Sequence, residues 1–166
     1  MTMLMWEQNL RFVYHNLENN KRVSMNFIEW NDETMGIGIE LIDTQHKELL
    51  RIINKLSLSI TSNSQRQDIL DIVNELVNYA QFHFNTEEEL FDKLNYENSV
   101  EHKAEHVLFM EKFIALKDKI TQDISYVNKS AVEISEEVFH YILNWFLNHI
   151  VGSDKKFVKL FKENNL

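Results

Sequence analysis

The sequence predicts an all-α protein, an up-down-up-down antiparallel four-helix bundle. Proline is absent and glycine occurs only three times in 166 residues, so little in the chain interrupts long helices. Apolar residues recur at alternating steps of four and three in separate segments, the spacing of a seam between packed helices. The breaks between these segments are short and polar, which makes successive helices antiparallel neighbours.

Taken in order, the first seam is Ile42, His46, Leu49, Ile53, Leu56 and Ile60. After "TSNSQRQ", where Ser64 and Gln67 have the spacing of a capping box, comes Ile69, Val73, Leu76, Ala80, His83, Glu87, Leu90 and Leu94. "NYENS" separates this from a third seam of His102, His106, Phe109, Phe113, Leu116 and Ile120, with Ser99 as the expected cap. Ser130 and Glu133 form another capping-box spacing before the fourth, Val138, Ile142, Trp145 and His149. Beyond His149 the regular pattern would place Gly152 and Lys156 in the core. A shift of one residue recovers Ile150, Asp154, Phe157 and Phe161 instead. In a straight helix His149 and Asp154 point about 140° apart. A π-type bulge near Gly152, with i→i+5 bonding, closes that angle and is expected between them.

Histidine interrupts every one of these seams, and two carboxylates join it. His46, His83, Glu87, His102, His106, His149 and Asp154 all fall on inward faces. A buried carboxylate is expensive unless it is paired or coordinated, and no lysine or arginine run accompanies these. The economical reading is a di-metal site in the bundle core, two ions sharing bridging carboxylates. With no cysteine in the chain, thiolate sites, iron–sulfur clusters and disulfides are excluded. Imidazole dominance argues against calcium and magnesium and leaves iron, zinc, copper or nickel. "HKAEH" at 102–106 matches an inverted zinc-protease motif, but that reading leaves five of these seven residues unexplained. Ferritin-like di-iron sites need two Glu-x-x-His motifs, whereas the one such spacing here, Glu137 to His140, lies off the seam.

Composition sets outer bounds. Seventeen Lys and Arg against twenty-six Asp and Glu give a net charge of −9, which repels phosphate backbones and speaks against nucleic acid as a partner. No stretch approaches the roughly 18 apolar residues of a membrane span, and the N-terminus lacks the pattern of a signal peptide. A cytoplasmic protein with no membrane partner is the expectation. Two units are read: an N-terminal extension, residues 1–24, and the bundle, residues 25–166. The extension reads as a docking segment, a mobile arm or sequence upstream of the true start, the last favoured because Met25 stands two residues before the patterned region.

"IEWNDETMGIGIELIDTQHKELLRIIN", "HFNTEEELF", "HKAEH" and "WFLNHIVGSDKKF" together resemble the hemerythrins, most closely the single-domain bacteriohemerythrins. The resemblance runs from about Phe27 to Phe161. It includes Trp30, Gly38 and Asp43 ahead of the His46 helix, and it departs at Glu97, where many relatives carry proline. It implies a non-haem di-iron centre, two iron ions (Fe2+/Fe3+) with an oxo or hydroxo bridge, that binds dioxygen reversibly. By the same resemblance His102, His106 and His149 hold one iron, His46 and His83 hold the other beside an open position, and Glu87 and Asp154 bridge both. Phe84, Trp145, Phe146 and Ile150 are candidates for a dry wall of the dioxygen pocket. His15 and His140 match no motif position and are expected to be ordinary surface or boundary residues. The expected function is oxygen storage or delivery to oxygen-requiring enzymes, by a binding protein and not an enzyme. An oxygen or redox sensor and a di-iron oxidase, peroxidase or nitric oxide reductase are the alternatives.

Overall fold

The computed structural model describes residues 27–163, and the extension at residues 1–24 lies outside them. Four long helices lie where the seams place them. They are α1 (Glu40–Thr61), α2 (Arg66–Leu94), α3 (Ser99–Gln122) and a fourth that begins as α5 (Ala131–Asn148). A one-turn helix, α4 (Ile124–Val127), sits between α3 and α5, and α6 (Lys155–Glu163) completes the fourth long helix. Helix α1 packs against α2 and α5, and α2 packs against α3, as in an antiparallel bundle. No strand occurs among the described residues.

The seam residues form the core. Ile42, Ile53, Leu56, Ile69, Val73, Leu76, Phe109, Phe113, Val138 and Ile142 are all fully buried. One part of the α2 seam differs from expectation: Phe91 is buried, while Leu90 and Leu94 are only half-buried. Phe91 is one turn beyond Glu87, and a helix of 3.6 residues per turn drifts away from a strict four-three repeat over a span this long. The larger ring takes the space beside His102, with ring centroids 4.6 Å apart.

Local signals set the helix ends, sometimes one residue from where the sequence places them. Ser130 caps α5 as expected, its hydroxyl accepting from Glu133 N while the Glu133 carboxylate accepts from Ser130 N. The α2 capping box is formed by Gln65 and Asp68, so Ser64 lies outside it. Ser99 is the first residue of α3, and the preceding Asn98 makes no side-chain cap. At the far end of the bundle Arg66 donates to the carbonyls of Ile120, Tyr126 and Lys129, at 3.0, 2.6 and 3.0 Å. Ile120 O is one of the last carbonyls of α3, which a helix end leaves without an intrahelical partner, and the other two belong to the turn that follows.

The segment before α1 is pinned in two places. Asn54 donates to Ile28 O and accepts from Ile28 N, each at 2.9 Å. The Asp43 carboxylate accepts from the amides of Ile37 and Gly38, at 2.7 and 2.9 Å, around Gly38 with its φ of 80°. A side chain is strained at that φ, which accounts for glycine there.

The fourth helix changes its winding where the seam slips. Residues His149–Asp154 form a π-helical segment, with regular α-helix on either side. The wider turn brings His149 and Asp154 to the same side, with Nε2 and Oδ1 3.2 Å apart.

Candidate metal centre

All seven residues that interrupt the seams meet in one buried cluster, none more than 3% exposed. Their donor atoms form two groups, each with atoms within 4.8 Å of one another: Glu87, His102, His106 and His149, and His46, His83, Glu87 and Asp154. Glu87 belongs to both. Asp154 also reaches across, with Oδ1 3.0 Å from His102 Nε2 and 3.2 Å from His149 Nε2, and Oδ2 3.3 Å from His46 Nε2. Five residues therefore converge on the first locus and four on the second.

Hydrogen bonds at the outer edge of the imidazoles set their orientation. His106 Nδ1 lies 2.9 Å from Glu88 Oε1, and His149 Nδ1 lies 2.6 Å from Glu105 Oε2. Ser153 Oγ donates to both Glu105 oxygens, at 3.0 and 2.8 Å. His83 Nδ1 lies 2.9 Å from Gln45 Oε1, and Gln45 Nε2 donates to Thr86 Oγ1 at 3.2 Å. A carboxylate or amide oxygen accepts only, so each of these imidazoles carries its proton on Nδ1. Their Nε2 lone pairs then point inward.

The charge states agree. Burial, with His46 next in weight, holds His83 well below the usual histidine range. Burial likewise lowers His106 against the pull of Glu88, and brings His149 down to about 4. All three are neutral near pH 7. Burial and the neighbouring Asp154 push Glu87 well above the carboxylate range. Burial acts the same way on Asp154, but His149, His102 and His46 outweigh it and hold that carboxyl well below its usual value.

Imidazole nitrogens that face each other lone pair to lone pair need something between them. His149 Nε2 lies 3.1 Å from both His102 Nε2 and His106 Nε2. With the protons of His106 and His149 on Nδ1, two lone pairs face each other. Among the described residues, both Glu87 oxygens, both Asp154 oxygens, His83 Nε2, His102 Nδ1 and both His46 nitrogens are buried without a hydrogen-bond partner. A buried polar atom left in that condition costs about 1–3 kcal/mol, more when charged. Cations at the two loci would satisfy all of these inward-facing atoms except those at the outer edges of His46 and His102, so the residues fit a two-metal centre.

Aromatic rings enclose the cluster. Phe84 stacks on His106 with centroids 3.9 Å apart, and Trp145 stacks on His149 at 4.3 Å. Phe146 and Ile150 are fully buried. Sequence reasoning missed Phe91, and Phe157 behind it at 4.8 Å, as parts of this enclosure. It also missed Gln45, Glu88 and Ser153 and gave Glu105 no part in the seam. Gln45, Glu88 and Glu105 each adjoin a candidate ligand in sequence, which is a signal available without coordinates.

The sequence profile described as hemerythrin HHE cation binding domain matches residues 37–161. The chain belongs to the hemerythrin family. Its relatives include the bacteriohemerythrin of Clostridium acetobutylicum, 31% identical over 133 residues that cover 78% of this chain and 97% of that one. The bacteriohemerythrin of Stenotrophomonas maltophilia is 29% identical, with 80% of each chain covered. A hemerythrin-like protein of Naegleria gruberi is 30% identical over 76% of this chain and 87% of its own. A crystal structure of wild-type hemerythrin superposes with a TM-score of 0.69 at 24% identity, covering 81% of this chain and 98% of that one, and shows the shared fold. This hemerythrin is metal-binding by family, and its buried donor cluster has the composition such a centre requires. Among the described residues no helix is long and apolar enough to cross a membrane.

Proposed function

We propose that this hemerythrin binds dioxygen reversibly at a non-haem di-iron centre, as a cytoplasmic store or a supply for oxygen-requiring enzymes, and that it is a binding protein rather than an enzyme. The observation that carries this reading is the pair of loci that share Glu87 and Asp154 in a chain of this family. His102, His106 and His149 would hold one iron, His46 and His83 the other, with Glu87 and Asp154 spanning the two beside an oxo or hydroxo bridge. Two irons so held would supply one electron each, the exchange that reversible dioxygen binding requires. The His46–His83 locus has one donor fewer than its neighbour, so that side would leave room for dioxygen.

The protein's own part is to hold and to shield. Gln45, Glu88 and Glu105 fix three imidazoles through Nδ1, so the donor set is arranged before any ion arrives. Phe84, Trp145, Phe146 and Ile150 form an apolar wall that keeps bulk water, and with it stray protons, from the site.

The test is to reduce the purified protein without oxygen, count its iron, admit air, and record the optical spectrum through repeated deoxygenation. Two irons per chain and a charge-transfer band that comes and goes are expected. Iron that oxidises once without reversal would refute oxygen carriage, and a single bound zinc would refute the di-iron assignment. His83→Ala and Glu87→Ala are each expected to abolish the two-iron stoichiometry.

A further inference from the structure

Three imidazoles of the centre have a partner behind Nδ1, and the partners differ in kind. Glu88 and Glu105 are carboxylates, which accept a hydrogen bond whichever way they turn. The partner of His83 is Gln45, an amide with an acceptor on one side and two donors on the other. Half a turn about its last torsion would present nitrogen to His83. Nδ1 would then have to accept, and the single proton of the neutral ring would sit on Nε2, the atom that faces the cluster. Glu87 Oε2 is 3.8 Å from Nε2, so a small shift would give that proton an acceptor. Only a bare Nε2 can take a metal, so the direction of this one amide matters.

What sets that direction lies on α2. Gln45 is buried, and Tyr79 Oη donates to its backbone carbonyl at 3.0 Å, which fixes the point from which the side chain starts. The amide Nε2 donates to Thr86 Oγ1 at 3.2 Å, and Thr86 Oγ1 donates to Phe82 O, one turn back on the same helix, at 3.0 Å. A hydroxyl has one proton, and a threonine inside a helix commonly gives it to the carbonyl four residues back. With the proton of Thr86 so committed, only lone pairs face Gln45. The chain of bonds then has one direction, from His83 Nδ1 to Gln45 Oε1, from Gln45 Nε2 to Thr86 Oγ1, and from Thr86 Oγ1 to the Phe82 carbonyl. We propose that Thr86 is a positioning residue that, through Gln45, decides which nitrogen of His83 carries the proton. The consequence for metal rests on the reading of His83 as a ligand, whereas the tautomer itself does not.

The tautomer is read in the metal-free full chain at pH 7, from the ring 15N resonances that disappear in His83→Gln. The native chain is expected to show a protonated Nδ1 and a bare Nε2. Thr86 is only partly buried, and Thr86→Val keeps its shape while removing the hydroxyl. In that variant the ratio of Nε2-protonated to Nδ1-protonated His83 is expected to rise about 2–10-fold, the weight of one hydrogen bond. Thr86→Ser keeps the hydroxyl and is expected to match the native chain. Gln45→Glu places an acceptor behind Nδ1 whichever way it turns, and adding Thr86→Val to it is expected to change nothing. A native chain protonated at Nε2, or an unchanged tautomer in Thr86→Val, would overturn the proposal. So would an equal change in Thr86→Ser, or in Thr86→Val on the Gln45→Glu background, because Thr86 would then act by another route. Ferrous iron titrated anaerobically against a chelator reads the consequence. Affinity in Thr86→Val is expected to fall with the fraction of chains that keep a bare Nε2, about twofold where the two tautomers are equal. A changed tautomer with unchanged affinity would uphold the proposal and overturn the ligand role of His83.

Discussion

Replacing Glu105 by Ala removes the acceptor for His149 Nδ1 and leaves all seven proposed ligands in place. Burial works against ionisation of Glu105, but the hydrogen bonds from Ser153 and His149 outweigh it and hold its pKa below the usual range. The Glu105–His149 contact is short, 2.6 Å, and one partner is charged. Such a bond contributes about 1.5–3 kcal/mol when fully buried. The Glu105 side chain is 44% exposed, so solvent screening reduces this to about 1–2 kcal/mol. That free energy corresponds to a loss of about 5–30-fold in metal affinity, which overlaps the roughly 10–100-fold range for removing groups behind a metal ligand. Anaerobic titration of ferrous iron against a chelator of known affinity measures it. Glu105→Gln keeps an oxygen acceptor at the same place and is expected to lose less than Glu105→Ala. Unchanged affinity in Glu105→Ala would refute the idea that this carboxylate holds His149 for metal. A loss in Glu105→Gln equal to that in Glu105→Ala would show that charge, and not the hydrogen bond, is what counts.

Other outcomes follow from the same geometry. His149 titrates near 4 in the folded protein, lowered chiefly by burial, against 6.5 when exposed. The unfolded chain therefore binds more protons between these values, and the metal-free protein is expected to lose stability as pH falls from about 6.5 towards 4; urea denaturation at pH 7 and pH 5 checks this, and equal midpoints would contradict it. Ser130→Ala removes one half of the α5 capping box and is expected to cost about 1 kcal/mol in the same assay. Gly152→Ala is expected to leave metal stoichiometry unchanged, because a Cβ added there meets no atom within 4 Å. Loss of metal in that variant would show that the π segment depends on glycine itself.

Much of the architecture was legible because burial leaves a periodic trace. The α3 seam from His102 to Ile120 is buried residue for residue, and the slip after His149 is the π segment His149–Asp154. Errors arose where neighbouring residues were near equivalents. Gln65 rather than Ser64 caps α2, and Phe91 rather than Leu90 turns inward. Phe91 turns inward beside His102 of another helix, a contact that a local pattern does not contain, whereas the Gln65 cap is a local bond to Asp68 for which the Ser64–Gln67 spacing was a near equivalent.

By itself the sequence determined the bundle, the seven inward polar residues and the need for a distortion between His149 and Asp154. Each of these follows from helical periodicity and from the cost of burying charge. Only the tertiary structure decided that Glu87 and Asp154 face both loci, that the loci have five and four converging residues, and that Gln45, Glu88 and Glu105 stand behind the imidazoles. Spacing along one helix fixes which side a residue faces. Distances between atoms on different helices depend on how those helices pack, and the metal-binding geometry is built from those distances.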